Sequence, residues 1–361
     1  KSRASRNKHP KFEIDTDKSS KKRGGRKVQR DTFVDTVKGY ACFLVVFGHV
    51  IMGMRLAGVA APVFFPVLER FIWSFHVALF LFLSGYVYQM TGGWKSKGTR
   101  LRFIRHKCIN LGVPYVIFSV LYIVINSVVG GANTQFSPAD VFSIWKTPVA
   151  QYWFLYALFF LFCIWTVLSG VLQNLRITFF VVLLGYVLPL FGLGFGAFDV
   201  VIYSALPFGL GTFLNMQRLK KGSVPLRLFI IVLHLVLGLT LSFFALLDAP
   251  GIKEGMLVLG IYASILFISL LKAYRLPSRF FLWINRYSFQ IYLLHTIFTA
   301  GIRMVLIRQH ITFWPIHLVC GCVFGIGLSV LAAKIAEKVP FFNLCFFPSK
   351  AYKELHNQYR G

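Results

Sequence analysis

The stretch RDTFVDTVKGYACFLVVFGHVIMGM, Arg30–Met54, decides the fold. It is long and mostly apolar, yet it carries Asp31, Asp35, Lys38 and His49. An α-helix advances about 100° per residue, so Asp31, Asp35, Lys38, Cys42 and His49 fall on one stripe. Lys38 and His49 are eleven positions apart, about three turns, and lie nearly one above the other. An ionisable row inside an apolar helix must face protein or water rather than lipid, and it marks a functional site.

The rest of the chain has the same character. Its 361 residues are 57% hydrophobic and 14% charged, with a mean hydropathy of +0.67. A soluble domain of this length carries more charge and no succession of long apolar runs. The composition therefore describes an all-α, polytopic transmembrane helix bundle. A formal net charge of +27 would also suit a nucleic-acid binder. That class is excluded by where the charge sits. Twelve of the 39 Lys and Arg residues lie within the first thirty positions, and most others cluster in alternate loops, the positive-inside pattern.

Residues 1–30 read as a disordered, basic cytoplasmic tail, a topology signal that could also touch anionic headgroups. Residues 31–335 read as the transmembrane domain and 336–361 as a cytoplasmic C-terminal tail. No cleavable signal peptide is expected, because the first apolar run is too long and is charged. Ten spans are predicted, near 33–54, 68–90, 108–129, 151–171, 177–195, 199–216, 227–247, 255–272, 280–300 and 313–333. The links after even-numbered spans are basic: KSKGTRLRFIRHK (95–107), Arg176, QRLKKG (217–222), KAYRLPSR (272–279) and the segment from Lys334. The intervening links mix or lack charge. Both termini are thus placed in the cytoplasm, and the protein is expected as a multi-pass component of the inner (plasma) membrane. No link is long enough for a soluble catalytic domain, so any chemistry must occur within the bundle. The six cysteines show neither metal-ligand spacing nor a disulfide framework and read as packing residues.

Counting 1.5 Å per residue from the expected helix ends brings His49, His76 and His295 to similar depth on three different helices. A histidine in apolar surroundings is expected to be neutral, and a neutral imidazole can take a proton from a hydroxyl. Hydrogen bonding between helices is the plainer role for any one of them. The alignment of His49 with Lys38 and Asp35 argues for function. His234 reads as structural. Three convergent histidines could bind zinc, but no carboxylate or thiol sits at that level, and no metal site is expected. Arg102, Arg105 and Lys107 stand at the cytoplasmic mouth, where guanidinium and ammonium groups suit phosphate. Glu69, Arg70 and Trp153 lie at the outer end and are candidate contacts for a polar acceptor, with Trp153 able to stack on a sugar ring.

These residues carry a resemblance. DTVKGYACFLVVFGH resembles the basic-x10-His signature of the membrane-bound acyltransferase family 3. FIWSFHVALFLFLSGYVY (71–88) resembles that family's second helix, particularly in its fucose 4-O-acetylase-like subset. FIRHK (103–107), YWFLYALFF (152–160) and YSFQIYLLH (287–295) resemble later landmarks in the right order, over about residues 31–335. The resemblance implies an O-acyltransferase. It would move an acetyl group, or a succinyl group, from cytoplasmic acyl-CoA to a hydroxyl of an exopolysaccharide, another cell-surface glycan or a lipid-linked oligosaccharide. Acyl-CoA would be a co-substrate, with no tightly bound cofactor. Lys38 and His49 match the signature pair, with Lys in place of the commoner Arg, so a bidentate contact is lost. Arg102 and Arg105 match the basic cytoplasmic motif loosely. No appended extracytoplasmic domain is expected, which makes the sequence resemble the stand-alone members.

In that reading His49 deprotonates the acceptor hydroxyl. Lys38 guides the thioester arm or polarises its carbonyl, Asp35 pairs with Lys38, and His76 or His295 orients His49 or stabilises the oxyanion. A covalent acyl-histidine is equally compatible. The competing classes are a proton-coupled transporter or glycan flippase, using the same Asp/Lys/His row, and a non-catalytic lipid-binding scaffold.

Overall fold

The computed structural model describes residues 31–92, 97–128, 136–276 and 278–348. The expected N-terminal tail, 1–30, and residues 349–361 lie outside them. Among the described residues every regular element is helical. The chain forms α1 (Thr32–Leu56), α2 (Phe65–Trp73), α3 (His76–Thr91), α4 (Lys97–Lys107), α5 (Val113–Val128), α6 (Trp153–Val167), α7 (Ser169–Leu172) and α8 (Leu175–Val187). It continues through α9 (Asp199–Phe213), α10 (Met216–Leu219), α11 (Val224–Phe243), α12 (Ile252–Ala273), α13 (Arg279–Arg286), α14 (Ser288–Arg308), α15 (Trp314–Ala336) and α16 (Pro340–Phe346).

Nine helical runs among the described residues are long and apolar enough to cross a membrane, with α2–α3 and α4–α5 each counting as one. Large apolar side chains cover the outside of the bundle: Phe179 and Phe180 on α8, and Phe229 and Val236 on α11, are more than half exposed. Such a continuous apolar surface is stable against acyl chains and not against water. The protein is a multi-pass membrane protein.

The helix pairings fix the path. Gly325 of α15 meets Val46, and Gly321 meets Val50, so α1 and α15 are antiparallel. Between α1 and α14, Cys42 Sγ approaches Ser288 O at 3.8 Å, and the His49 and His295 rings meet seven residues further along both helices. These two helices run parallel. Val77 shares a cavity wall with Val200 and Tyr203, and Gly85 abuts the Phe208 carbonyl, so α3 and α9 are parallel too. A parallel α3–α9 pair requires three crossings between them, α5, α6 and α8. α8 is only 13 residues, but a 3-10 turn, Leu188–Phe191, extends it to roughly 28 Å. The expected fifth span is therefore a short helix with a tighter end, and the ten-crossing path is kept.

Two expected spans differ in form. The second is broken at Ser74–Phe75, where Phe75 adopts φ −139° and the Ser74 hydroxyl donates to Phe71 O at 2.7 Å. The ninth expected span covers 280–300, but α14 begins at Ser288. The preceding RFFLWINR is a separate amphipathic helix, turned at Tyr287 (φ −119°). Arg286 lies on its exposed side, which a straight span would carry into the bilayer core at several kcal/mol. α13 packs on α1 instead, so closely that a Cβ on Gly39 would lie 1.7 Å from Phe281 O. Beyond Ala336 the chain returns to the bundle. Gln290 Nε2 donates to Phe346 O at 2.9 Å, and Cys345 and Phe346 join the core that holds Tyr88, Tyr152 and Phe208.

Candidate active site

A cavity of ≈ 530 Å³ runs along α1. Its wall includes Lys38, Val45, His49, Gly53 and Leu56 on that helix, so it extends about 27 Å along the axis. α3 contributes His76, Phe80 and Ser84; α14 contributes Ser288, Tyr292, Thr296 and Arg303. Of the stripe expected on α1, Lys38 and His49 face this space, whereas Cys42 is buried against Ser288 O. Asp31 does not face the space either, because its carboxylate caps the helix, accepting from Phe33 N at 2.8 Å.

The three histidines converge at mid-height. The His49 and His295 ring centroids are 4.8 Å apart at 81°, and Trp73 stands 5.0 Å from both His49 and His76. In each histidine Nδ1 faces a backbone carbonyl one turn back: His49 to Val45 O at 2.9 Å, His76 to Ile72 O at 2.7 Å and His295 to Ile291 O at 2.8 Å. A carbonyl only accepts, so Nδ1 carries the proton in all three. Each neutral ring then presents Nε2 as a bare acceptor. His76 and His295 are fully buried, and their Nε2 atoms have no partner among the described residues. His49 is partly exposed, on the cavity wall. His49 is thus the most exposed of the three rings, and His76 borders the same cavity.

Polar groups above the histidines are held by one another. Gln151 Nε2 donates to Thr296 Oγ1 at 2.6 Å, and the Tyr292 hydroxyl donates to Gln151 O. A second cavity, ≈ 550 Å³, shares Trp73, Val77 and Trp153 with the first and adds Arg70, Asp248, Lys253 and Glu254.

The remaining expected site residues fall in different places. Lys38 and Trp153 line the main cavity; Asp35, in the first turn of α1, does not. Arg102 and Arg105 are exposed on α4 and absent from the wall. Lys107 Nζ sits over the Phe162 ring, 3.6 Å from its centroid. One turn on, within the π-helical turn Cys108–Gly112, Leu111 is the residue that reaches the cavity. Glu69 is buried and bound by Arg55 through two 2.8 Å hydrogen bonds, so its carboxylate is occupied within the protein. Arg70 lines the second cavity only. His234 packs between Phe71 and Phe75, as a structural residue would. Trp73, Gln151 and Tyr292 also line the main cavity, without standing out in the sequence. The signal for Trp73 was its place three residues before His76, which a helical count puts on the same face.

The model of an acyltransferase domain, acyltransferase 3, matches residues 31–334. The chain belongs to the acyltransferase 3 family. No curated protein and no solved structure matches it. The matched range takes in every residue that lines the main cavity, so this acyltransferase domain includes the three histidines and Lys38 together.

Proposed function

We propose that the protein is an O-acyltransferase that accepts an acyl group, acetyl or succinyl, from cytoplasmic acyl-CoA and passes it to a hydroxyl of a cell-surface glycan. The observation that carries this reading is the continuous cavity from Lys38 to Leu56, with the bare Nε2 of His49 on its wall.

Lys38 and His49 are about 16 Å apart along α1. That separation matches an extended phosphopantetheine arm, roughly thirteen bonds from phosphorus to sulfur. Lys38 meets the phosphate end of the arm while the thioester lies at His49. This distance favours the guiding role for Lys38 over polarisation of the carbonyl, which would need the ammonium within hydrogen-bond reach of the reacting oxygen. His49 Nε2 takes the proton of the acceptor hydroxyl as its oxygen attacks the thioester carbonyl. The carbon–sulfur bond then breaks, and the departing thiolate takes the proton back from the imidazolium. His76 and His295 present lone pairs, so they suit the charge that His49 gains rather than an oxyanion, which requires donors. The cation cluster of α4 lies at the same end as Lys38 and attracts a polyanionic nucleotide from a distance, without contributing to the wall.

The test is transfer of radiolabelled acyl groups by purified protein in liposomes, with acetyl-CoA and succinyl-CoA and a crude glycan acceptor. Labelling that depends on donor and disappears in His49→Ala supports the reading. Sugar or proton flux with no acyl-CoA turnover replaces it with the transporter.

A further inference from the structure

Among the described residues, Arg303 is the one guanidinium on the wall of the main cavity. It stands on α14, two turns beyond His295 on the side away from Lys38. Its place is made by a missing side chain: a Cβ on Gly53 would lie 2.1 Å from Arg303 Nη1 and 3.0 Å from Cζ. Gly53 is one turn beyond His49, so the fork lies about 6 Å past the reacting imidazole. No ion pair or hydrogen bond holds Arg303 among the described residues. No carboxylate lines the main cavity among the described residues: Asp248 and Glu254 line the second one, and Glu69 is bound by Arg55 through both oxygens at 2.8 Å. Of the uncharged polar groups on the same wall, Gln151 and Thr296 are bonded to each other, and Tyr122, beside Arg303, supplies no anion. A partly buried arginine is costly without an anion, and its fork suits a carboxylate bidentately.

We propose that Arg303 binds a carboxylate on the group that occupies this arm of the cavity, making the protein selective for a carboxylate-bearing substrate. The inference rests on the acyltransferase reading for its biological meaning. Two sources supply the same chemistry. In a four-carbon diacyl donor the distal carboxyl carbon lies about 4 Å from the thioester carbonyl. With the carbonyl at His49, a charge-assisted hydrogen bond of about 2.8 Å closes the remaining gap. In a uronic-acid acceptor the ring carboxylate lies a similar distance from a neighbouring hydroxyl.

The experiment is thermal stabilisation of the detergent-purified full chain, which needs no turnover. S-succinyl-pantetheine is compared with S-butyryl-pantetheine, and methyl glucuronide with methyl glucoside. Each uncharged analogue sets the baseline for its pair in every variant. The inference expects at least tenfold tighter binding of one charged probe than of its analogue, and that preference disappears in Arg303→Gln. Gly53→Ala keeps the charge but displaces the fork, and it abolishes the same preference. Preference for the succinyl thioester places the carboxylate on the donor, and preference for the glucuronide places it on the acceptor. Equal binding of charged and uncharged probes overturns the inference, as does a preference that survives both substitutions. The acyltransferase reading fails separately, if carboxylate binding at Arg303 stands but no acyl-CoA is turned over.

Discussion

His49 of α1 and His295 of α14 meet edge to face, 4.8 Å between ring centroids, at the same level of two parallel helices. Each ring is tethered through Nδ1–H to its own helix, so neither turns to bond the other. Their roles are therefore separable. His49→Gln is expected to lower acyl transfer about 100-fold or more, because the proton acceptor is lost. His295→Gln, which replaces a buried acceptor that the hydroxyl does not touch, costs about tenfold. Initial rates at saturating donor distinguish the two; equal losses would make the histidines a single functional unit.

Lys38, some 16 Å from His49 along α1, is the group proposed above to meet the donor's phosphate end. Lys38→Gln raises the KM for acyl-CoA about tenfold and changes kcat little, since the contact it removes is the same in ground and transition states. With an acyl-pantetheine that lacks phosphate, the variant and the parent should have the same KM. A fall in kcat with both donors would return Lys38 to the thioester carbonyl.

Gly39 permits α13 to lie against α1. Gly39→Ala puts a methyl group 1.7 Å from Phe281 O, a backbone atom that cannot swing aside. The expected cost is about 2–3 kcal/mol, typical of overpacking. Gly301 in α14 meets nothing within 4 Å, and Gly301→Ala should be neutral or stabilising by up to about 1 kcal/mol through helix propensity. Thermal unfolding of both variants in the same detergent checks the contrast.

Glu69 is turned to Arg55, not to either cavity. Arg55 is 46% exposed in this pair, and half-exposed ion pairs contribute about 1 kcal/mol. Glu69→Gln should lower stability by about that amount and leave acyl transfer within twofold of the parent. A tenfold loss of transfer with an unchanged melting temperature would restore Glu69 as an acceptor contact.

The polar stripe of α1 was legible because ionisable residues at helical spacing stand out against an apolar background, and two of its members, Lys38 and His49, line one cavity. The convergence of the histidines was legible for the same reason, since counting residues measures height along a helix. The break before His76 was not, because Ser74 and Phe75 carry no proline or glycine to announce it. The turn at Tyr287 was hidden likewise: RFFLWINR is apolar enough to merge with the helix that follows. Charge patterning gave the path of the chain but not which cations face the cavity. Arg102 and Arg105 satisfy topology from the surface of α4, whereas Arg303, an outer cation that charge patterning does not tell apart from Arg70 or Arg308, stands on the wall because of an absent side chain on another helix.

The main cavity extends past the histidines toward both faces of the bundle, and this has an electrical consequence. An acetyl group handed from a donor on one side to an acceptor on the other carries no charge, so its passage is indifferent to the membrane potential. A group bearing a carboxylate carries one elementary charge through part of the field, where each 100 mV is worth about 2.3 kcal/mol per charge for the full crossing. With the donor on the negative side, the potential itself would draw such a group toward Arg303, and the protein would then couple the charging of the membrane to the decoration of its outer face.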